Sequence, residues 1–318
     1  MPFRVLVTDE IDPEGLALLA AEPRLDIDEE PTLPRDELLA RIGSYDAIIG
    51  RSATRISPEL LRAASRLKVV GRAGVGVDNI AMDVATELGI AVVNAPAGNT
   101  VAVAELFFGV VIGILRQLAR ADASMRSGRW DRSALMGTEL HGKTLGIVGL
   151  GRIGSAIANR AAAFGMALVA YDPYVPESRF QSLRVERAAD LETLLGAADV
   201  MTVHTPLTDE TRGMIGRREL ALVSPGAIVV NMARGGIVDE QALVDALQAG
   251  RLRAAAVDAF AREPLAADSP LRRVENLYLT PHLGASTTEA QRNVAVDACA
   301  AVRDALLDGE LSRSINVG

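Results

Sequence analysis

The sequence predicts an α/β protein built from two doubly wound domains, each with a parallel sheet. Short apolar runs alternate with helical patterns along most of the chain, which is typical of parallel strands connected by helices. Aliphatic residues dominate while aromatic residues make up only 3%, a balance that suits helices laid over a buried sheet. A chain of 318 residues also exceeds what one hydrophobic core usually fills, which favours two domains.

The first series of elements runs from residue 4 to about residue 95 and predicts one parallel sheet. Its apolar runs, each typical of a buried strand, are RVLVTD, LDIDEE, DAIIGR, LKVVGR and IAVVNAP. Helical patterns separate these strands and begin at Pro13, Asp36, Ser57 and Asp83.

The second series predicts another parallel sheet, of six strands with helical segments between most of them. The strands are TLGIVGLG, MALVAYDP, ADVMTVHTP, GAIVVNMARGG, RAAAVDAF and NLYLTPH. The chain then ends in a predicted helix from Thr288 to about Asp308 and a short tail.

A long helical segment, from about Val101 to Gly128, links the two series. Its first half is apolar all round rather than along one stripe, so we expect it to bury both faces. This favours a homodimer, or a tetramer built from such dimers, with the helical arm at 100–128 as the contact. An interdomain helix in a monomer is the alternative.

The composition and charge limit which binding partners and which cellular compartment we expect. A net charge of −8 and a pI near 5.1 would repel nucleic acid and anionic lipid, so we expect neither as a partner. The amino terminus enters a strand without the blocks of a secretion signal, and the apolar run 106–115 covers about half of the roughly 20 residues that span a bilayer. We therefore expect a cytoplasmic protein. The single cysteine, Cys299, excludes an intrachain disulfide and a CxxC-type metal site, and we expect it to be buried and inert.

A glycine-rich turn predicts a nucleotide site. Gly149, Gly151 and Gly154 have GxGxxG spacing between a predicted strand and a helix that begins near Arg152. In this context the glycines allow a tight turn, close approach to a pyrophosphate and close helix–strand packing, while the helix start attracts phosphate. Asp172 follows at the end of the next strand, where a carboxylate binds the ribose hydroxyls and repels a 2′-phosphate. The segment predicts NAD rather than NADP; a glycine-rich turn followed by a surface aspartate is the alternative.

A general base is expected near the carboxyl ends of the strands, where ligands of such sheets lie. The chain has three histidines, of which His141 precedes its strand and is typical of a surface turn residue. His204 closes a strand beside Thr205 and Pro206, where cofactor contact and a satisfied core histidine are equally compatible with the sequence. His282, at the end of the last strand, is the best candidate for the base.

Two charged residues follow neighbouring strands and complete a possible catalytic group. Glu263 is placed to be the carboxylate partner of His282, and Arg234 offers a planar fork that matches a substrate carboxylate. Taken alone, each has an ordinary alternative: Glu263 as a solvated loop acid and Arg234 as half of a surface salt bridge. Further candidate cofactor contacts at these strand ends are Met232, Ala233 and Ala285.

A set of short stretches extends this pattern over essentially the whole chain. They are RSAT (51–54), GRAGVGVDN (71–79), NAPAGNT (94–100), AELFFG (104–109), MGTELHGKTLGIVGLGRIG (136–154), YDP (171–173), VHTPLT (203–208), ARGGIVDE (233–240), EP (263–264) and PHLGAST (281–287). The set resembles the D-isomer-specific 2-hydroxyacid dehydrogenase family, with the closest similarity to its phosphoglycerate dehydrogenase branch in a short form.

The resemblance implies a Rossmann NAD-binding domain at residues 98–287, inserted in a flavodoxin-like substrate domain at residues 1–97 and 288–318. It implies that Arg234, Glu263 and His282 are catalytic. It also implies that the backbone at Val75 and Gly76 holds the substrate carboxylate. The cofactor contacts that it implies are Arg152, Ile153, Thr205 and Asp258.

Charge favours a phosphorylated substrate within this family. Arg51 and Arg72 each follow a strand of the first domain, on the side expected to face the substrate. Arg132, near the helical arm, is placed to add a cation from a neighbouring subunit. A phosphate ester carries about two more negative charges than a plain acid, so these arginines favour oxidation of 3-phospho-D-glycerate to 3-phosphohydroxypyruvate, on the route to serine. The alternative is that Arg51 and Arg72 only neutralise nearby acids.

Other functions share much of this machinery. A glyoxylate or hydroxypyruvate reductase, or another D-2-hydroxyacid dehydrogenase, would use the same catalytic residues. An NAD-sensing binding protein of this fold is a more distant alternative. Because the sequence stops at Gly318 without a further regulatory domain, we expect no feedback by serine.

Overall fold

The computed structural model describes residues 1–31 and 33–317 and divides the chain into two compact units. The first unit comprises Met1–Asn99 and Ala285–Gly318, and the second comprises Thr100–Gly284. The first unit is therefore assembled from both ends of the chain, with the second unit as a continuous segment between them.

The first unit contains a five-stranded sheet covered by helices. Its strands are β1 (Phe3–Val7), β2 (Leu25–Glu29), β3 (Ala47–Gly50), β4 (Val69–Arg72) and β5 (Ala91–Asn94). Its helices are α1 (Pro13–Ala20), α2 (Arg35–Arg41), α3 (Pro58–Ala63), α4 (Met82–Glu87) and α12 (Thr288–Asp308). The strand order is β2-β1-β3-β4-β5 and every pairing is parallel, which confirms the predicted class of sheet.

Alternate residues of each strand enter different cores. In β1, Val5 and Val7 pack towards α12, whereas Leu6 belongs to the core on the opposite face. The close fit of α12 depends on Gly71, because a Cβ atom there would lie 2.5 Å from a methyl group of Val302. Parallel sheets are covered on both faces in this way, so their strands are apolar throughout.

The predicted terminal helix is confirmed as α12, from Thr288 to Asp308. The Thr287 side chain caps it by accepting a hydrogen bond from the Ala290 amide at 3.1 Å, which satisfies an otherwise unpaired donor of the first turn. Cys299 lies on its buried face, as expected, and burial raises the pKa of the thiol to about 12. A thiol with this pKa is protonated at neutral pH and unreactive.

The second unit contains a seven-stranded parallel sheet. Its strands are β6 (Thr144–Val148), β7 (Ala167–Tyr171), β8 (Glu186–Arg187), β9 (Val200–Val203), β10 (Ile228–Asn231), β11 (Ala254–Val257) and β12 (Leu277–Leu279). Its helices are α5 (Thr100–Leu115), α6 (Leu118–Arg126), α7 (Arg152–Ala163), α8 (Glu177–Leu183), α9 (Leu191–Ala197), α10 (Arg217–Leu222) and α11 (Glu240–Gln248). The strand order is β12-β11-β10-β9-β6-β7-β8.

The prediction of six strands in this sheet was one too few. The additional strand, β8, has only two residues, both exposed, and pairs with β7 at the sheet edge. It contains a glutamate and an arginine and no apolar run, so the sequence offers no periodic signal for it.

The prediction of one long helix from about Val101 to Gly128 was also wrong in one respect. The segment breaks between α5 and α6, which are bent by 60°, and Gln117 at the break has a left-handed backbone with φ of 53°. The Thr138 amide donates to the carbonyl of Leu115 at 3.2 Å, and the Gln117 side chain donates to the carbonyl of Met136 at 3.1 Å. The segment at Met136 and Thr138 therefore provides hydrogen-bond partners for the break. One of these bonds satisfies the Leu115 carbonyl, which a continuous helix would have paired internally.

Helix α5 is apolar apart from Thr100 and Glu105 but only partly covered within the chain. Phe107 and Val111 are buried against the sheet and α7, whereas Val110 and Ile112 are half-buried and Val101 is exposed. Among the described residues, no single helix is long and apolar enough to span a membrane; the bent pair α5 and α6 meets that criterion only by combined length and composition.

Candidate functional site

The functional candidates of the second unit follow the carboxyl ends of its strands. Strands β6 and β9 are neighbours in the sheet. The strand order continues on one side of this pair through β7 and β8, and on the other side through β10, β11 and β12. A crevice opens at such a switch point, and ligands of open α/β sheets bind there. The glycine loop follows β6, Asp172 follows β7 and His204 follows β9, so these residues lie at one edge of the sheet.

The backbone of the glycine loop is tightly packed at Gly149 and Gly154 and accessible at Gly151. Gly149 has φ of +94°, and a Cβ atom there would lie 2.7 Å from the His204 carbonyl oxygen. A Cβ atom on Gly154 would lie 2.2 Å from the Gly149 carbonyl oxygen, so only glycine permits this contact between the loop and α7. A Cβ atom added to Gly151 would have no atom of the described residues beyond its chain neighbours within 4 Å. The backbone there is open to a phosphate, beside the N-terminus of α7, which begins at Arg152 and has unpaired N–H groups.

Asp172 is held in place by the backbone around it. Its Oδ2 accepts a hydrogen bond from the Leu150 amide at 2.8 Å, and its Oδ1 accepts from the amides of Tyr174 at 2.9 Å and Val175 at 3.2 Å. A carboxylate has about four acceptor positions, so this one retains capacity for a ribose hydroxyl. Ile153, in the first turn of α7, is half-buried.

Two polar atoms beside the glycine loop are buried without a partner. The Nδ1 atom of His204 and the hydroxyl of Thr205 have no hydrogen-bond partner among the residues that the structure describes. Buried polar groups of this kind are normally satisfied by a ligand, water or protein atom. Together with the open backbone at Gly151 and the oriented Asp172 carboxylate, they fit the pyrophosphate and ribose groups of NAD.

His204 itself is not suited to act as a base near neutral pH. Burial lowers the pKa of His204 to about 3, and its Nε2 lies 2.8 Å from the hydroxyl of Thr202. The imidazole is therefore neutral over the physiological range. His141 is exposed in a turn, as expected, so His282 is left as the candidate base.

His282 and Glu263 form a pair, as the sequence predicts. The Nδ1 atom of His282 lies 2.9 Å from Oε1 and 2.8 Å from Oε2 of Glu263. Glu263 is oriented in turn by the Phe260 amide, which donates to its Oε1 at 2.9 Å. A carboxylate at Nδ1 fixes the proton on that nitrogen and leaves Nε2 to exchange a proton with a substrate. The two side chains are 46% and 39% exposed, so a small molecule can reach them.

The loop that carries His282 is anchored by Asp258, which is 1% exposed. Its Oδ1 accepts hydrogen bonds from the Thr280 hydroxyl at 2.6 Å and the Leu283 amide at 2.7 Å, and its Oδ2 accepts from the Gly284 amide at 2.9 Å. These donors lie on both sides of His282, whose own φ is 53°. The resemblance implies that Asp258 contacts the cofactor; in the structure its carboxylate accepts hydrogen bonds from the loop that carries His282.

Arg234 follows β10 in a turn that Asn231 organises. Asn231 donates to the Arg234 carbonyl at 2.9 Å and accepts from the Ala233 amide at 3.2 Å, and an Arg234 nitrogen donates to the Ala233 carbonyl at 2.7 Å. Ala233 and Met232 are buried. Asn231 was not predicted from the sequence, although a short amide that ends an apolar strand is a signal for such a turn.

In the first unit, Arg51 lines a cavity of about 670 Å³ at the carboxyl ends of β1 and β3. Asp9 accepts hydrogen bonds from the Arg51 amide and, at 2.7 Å, from the Thr54 hydroxyl, and Asn79 donates to the Arg51 carbonyl at 2.8 Å. Among the described residues, no ion-pair partner of the Arg51 side chain is found.

The remaining candidates for substrate and cofactor binding are divided between the two units. Arg72 is half-buried and donates to the Ala73 carbonyl at 2.9 Å. The half-buried Val75 and Gly76 follow it, and Asn94 donates to the Val75 carbonyl at 2.7 Å. Ala285, a cofactor candidate, also belongs to the first unit. Arg132 and Pro206 are exposed residues of the second unit. Asn79 and Asn94 were not predicted as site residues from the sequence, although both lie in the stretches that carry the resemblance.

Comparison with known proteins gives consistent matches. A family model described as D-isomer specific 2-hydroxyacid dehydrogenase, NAD binding domain, matches residues 108–284. The D-3-phosphoglycerate dehydrogenases of Methanocaldococcus jannaschii and Mycobacterium tuberculosis are 44% and 47% identical over 98% and 99% of this chain. The chain spans only 59% of the length of each of these relatives.

Solved structures match over their whole length. The TT0316 protein from Thermus thermophilus has a TM-score of 0.88 and 36% identity, covering 98% of this chain and 100% of that one. A glyoxylate reductase from Paecilomyes thermophila has a TM-score of 0.89 and 30% identity, covering 99% and 98%. The full-length matches confirm the two-sheet α/β architecture.

Proposed function

Because the chain belongs to the D-isomer-specific 2-hydroxyacid dehydrogenase family, we propose that it oxidises 3-phospho-D-glycerate to 3-phosphohydroxypyruvate with NAD, on the route to serine. The observation that carries the proposal is the pair of His282 and Glu263, with Nδ1 2.8 Å from a carboxylate oxygen. The name shared by the relatives from Methanocaldococcus jannaschii and Mycobacterium tuberculosis supports the choice of substrate.

The side chains supply the acid–base part of this reaction. Bound NAD supplies the hydride acceptor. The Nε2 atom of His282 takes the hydroxyl proton as the carbinol carbon loses its hydride, and the Glu263 carboxylate stabilises the resulting imidazolium through Nδ1. Arg234 binds the substrate carboxylate and the reacting oxygen through its guanidinium. A positioned general base of this kind typically contributes about 10²–10⁴-fold to the rate.

The phosphate group is assigned to the arginines of the first unit. Arg51 directly follows β3, Arg72 is the last residue of the neighbouring β4, and Arg51 lines the cavity described above. A phosphate ester needs more cationic partners than a plain carboxylate. We propose Arg132 as a further phosphate ligand, supplied by a neighbouring subunit.

The neighbouring subunit is part of the proposal. Large apolar side chains are exposed along one segment of the second unit, where Leu118 and Met125 lie two turns apart on α6 and Trp130 and Met136 follow. Exposed apolar groups in such number mark an interaction surface, and half-buried positions of α5 extend it. We propose that this arm forms a homodimer contact.

A spectrophotometric screen tests the activity. We expect NADH formation from 3-phospho-D-glycerate, with a higher kcat/KM than for oxidation of unphosphorylated D-glycerate. Arg51→Ala and Arg72→Ala should remove this preference while leaving activity on the plain acid. Faster NADH consumption with glyoxylate or hydroxypyruvate than with 3-phosphohydroxypyruvate would instead favour a glyoxylate or hydroxypyruvate reductase.

A further inference from the structure

An exposed tyrosine lies beside the nucleotide site and has no role in the function described so far. Tyr174 is two residues beyond Asp172, in the loop after β7, and it is 77% exposed. Its hydroxyl donates a hydrogen bond to the carboxylate of Glu210, in the loop after β9. The two residues thus connect loops that follow different strands.

The order of the strands in the sheet determines which strand end lies beneath the bond between Tyr174 and Glu210. Strand β6 lies between β7 and β9, and all three strands point the same way. A side-chain bridge from the loop after β7 to the loop after β9 therefore passes over the carboxyl end of β6. The loop from Gly149 to Gly151 begins there, so the bridge spans the mouth of the nucleotide crevice.

Both ends of the bridge are anchored to residues of that crevice. The Tyr174 amide donates to Oδ1 of Asp172 at 2.9 Å, and Asp172 is the carboxylate that fits a ribose. On the other side, the Thr211 hydroxyl donates to the Pro206 carbonyl at 2.6 Å, which orders the turn that carries Glu210. The bridge is thus tied to the adenosine end of the crevice.

We propose that Tyr174 and Glu210 form a clasp that closes over the adenosine half of bound NAD and slows its release. The phenol ring offers an aromatic face to adenine, and its hydroxyl bond to Glu210 holds it across the crevice. Because the bond is exposed, it contributes little to stability and opens readily, so the cofactor can enter and leave.

The chemistry of the pair suits this function at neutral pH. The Glu210 carboxylate raises the pKa of the Tyr174 phenol, because deprotonation would break the hydrogen bond between them and would place a phenolate beside a negative charge. The hydroxyl thus remains a donor over the working range of the enzyme. Asp209, the neighbouring acid in the same exposed turn, provides a matched control for loss of one negative charge.

The test measures cofactor release without substrate turnover. NADH is displaced from the full chain by excess NAD in a stopped-flow fluorimeter, with Tyr174→Phe, Glu210→Ala, the double variant and Asp209→Ala. We expect a threefold to tenfold faster release for each of the first two variants and the same rate for the double variant, because one bond is lost in all three. Asp209→Ala should release NADH at the wild-type rate.

ADP-ribose, which lacks the nicotinamide, separates the two halves of the cofactor. Its affinity should fall by the same factor as that of NADH in Tyr174→Phe and Glu210→Ala. The clasp would be disproved by release rates within twofold of wild type, or by equal increases in association and dissociation rates, which indicate an obstacle rather than a closure. An effect on NADH that ADP-ribose does not share would also disprove it.

Discussion

The proposed proton transfer depends on one imidazole and on two carboxylates that hold it from different directions. Glu263 fixes Nδ1 of His282, and Asp258 fixes the backbone before and after it through Thr280 and Leu283. His204 lies at the end of a strand in the same sheet, yet burial holds it neutral. The environment of each ring, rather than its residue type, therefore separates the proposed base, His282, from the proposed cofactor contact, His204.

Replacing His282 by alanine tests the assignment of the base. His282→Ala should lower kcat by about 10²–10⁴-fold, the usual contribution of a general base, because no other group in this loop can take the hydroxyl proton. NADH affinity, measured by fluorescence titration, should stay within a few-fold of wild type. His141→Ala, in an exposed turn, serves as the control; loss of NADH binding by His282→Ala would contradict the role.

His204 predicts a dependence of stability on pH. The unfolded chain protonates this imidazole near pH 6.5, whereas burial lowers the pKa in the folded protein to about 3. The unfolded state thus binds more protons between these values, and the free energy of unfolding falls as pH decreases from 6.5 towards 3, at most by about 1.4 kcal/mol per pH unit.

His204→Gln removes this titration while an amide can still bond to Thr202. Urea unfolding at pH 7 and pH 5 should show a smaller acid-induced loss for the variant, by about 1 kcal/mol after allowance for partial solvent access. Equal losses in the two proteins would mean that the imidazole is not desolvated in the folded state.

At the scale of elements, two features position the nucleotide site: the glycine loop between β6 and α7, and the neighbouring position of β9. Gly154 brings α7 against the loop, since a Cβ atom would lie 2.2 Å from the Gly149 carbonyl oxygen. Helix α9 contains a contrasting glycine, Gly196, whose added Cβ atom would contact no other element of the described part of the chain within 4 Å. The same chemical change therefore has opposite expected effects at the two positions.

Gly154→Ala should push α7 away from the loop, with a loss of about 1–3 kcal/mol of stability and at least tenfold weaker NADH binding. Gly196→Ala should stabilise the protein by up to about 1 kcal/mol, because alanine favours a helix interior, without altering NADH affinity. Thermal unfolding and fluorescence titration measure the two quantities. Unchanged NADH affinity in Gly154→Ala would show that close packing there is not required.

At the scale of the whole molecule, one chain carries two parallel sheets with different tasks proposed for them. The second unit contains the groups that fit NAD together with the proposed base, while the first contains Arg51 and Arg72. The second unit also exposes the apolar arm. Leu118 and Met125 are each 54% exposed and Met136 is 80% exposed, more than a surface without a partner favours.

A charge placed in the arm should therefore dissociate the proposed dimer. Leu118→Glu is expected to sediment as a monomer in analytical ultracentrifugation at micromolar concentration, where wild type sediments as a dimer, since burial of an unpaired carboxylate is costly. Leu222→Glu, an exposed leucine on α10, should leave the dimer intact. A monomeric wild-type protein, or a dimeric Leu118→Glu, would rule out this contact.

The local pattern of the sequence determined which elements form and which residues end them. Buried parallel strands are apolar throughout, and the glycine spacing and the polar residues after each strand depend only on neighbours in the chain. This made the five strands of the first sheet, α12, the glycine loop and Asp172 predictable. The pairing of Glu263 with His282 was expected on another ground, because both residues follow neighbouring predicted strands and so lie at the same edge of the sheet.

Tertiary structure decided what depends on distant contacts. The break at Gln117 depends on hydrogen-bond partners at Met136 and Thr138. Strand β8 forms because its backbone pairs with β7 at the edge of the sheet. The three bonds from Asp258 to the loop that carries His282, and the bridge from Tyr174 to Glu210, join residues that lie far apart in sequence. A hydrogen bond between distant residues leaves no periodic trace in either segment, because its geometry is set by how the strands are ordered in the sheet.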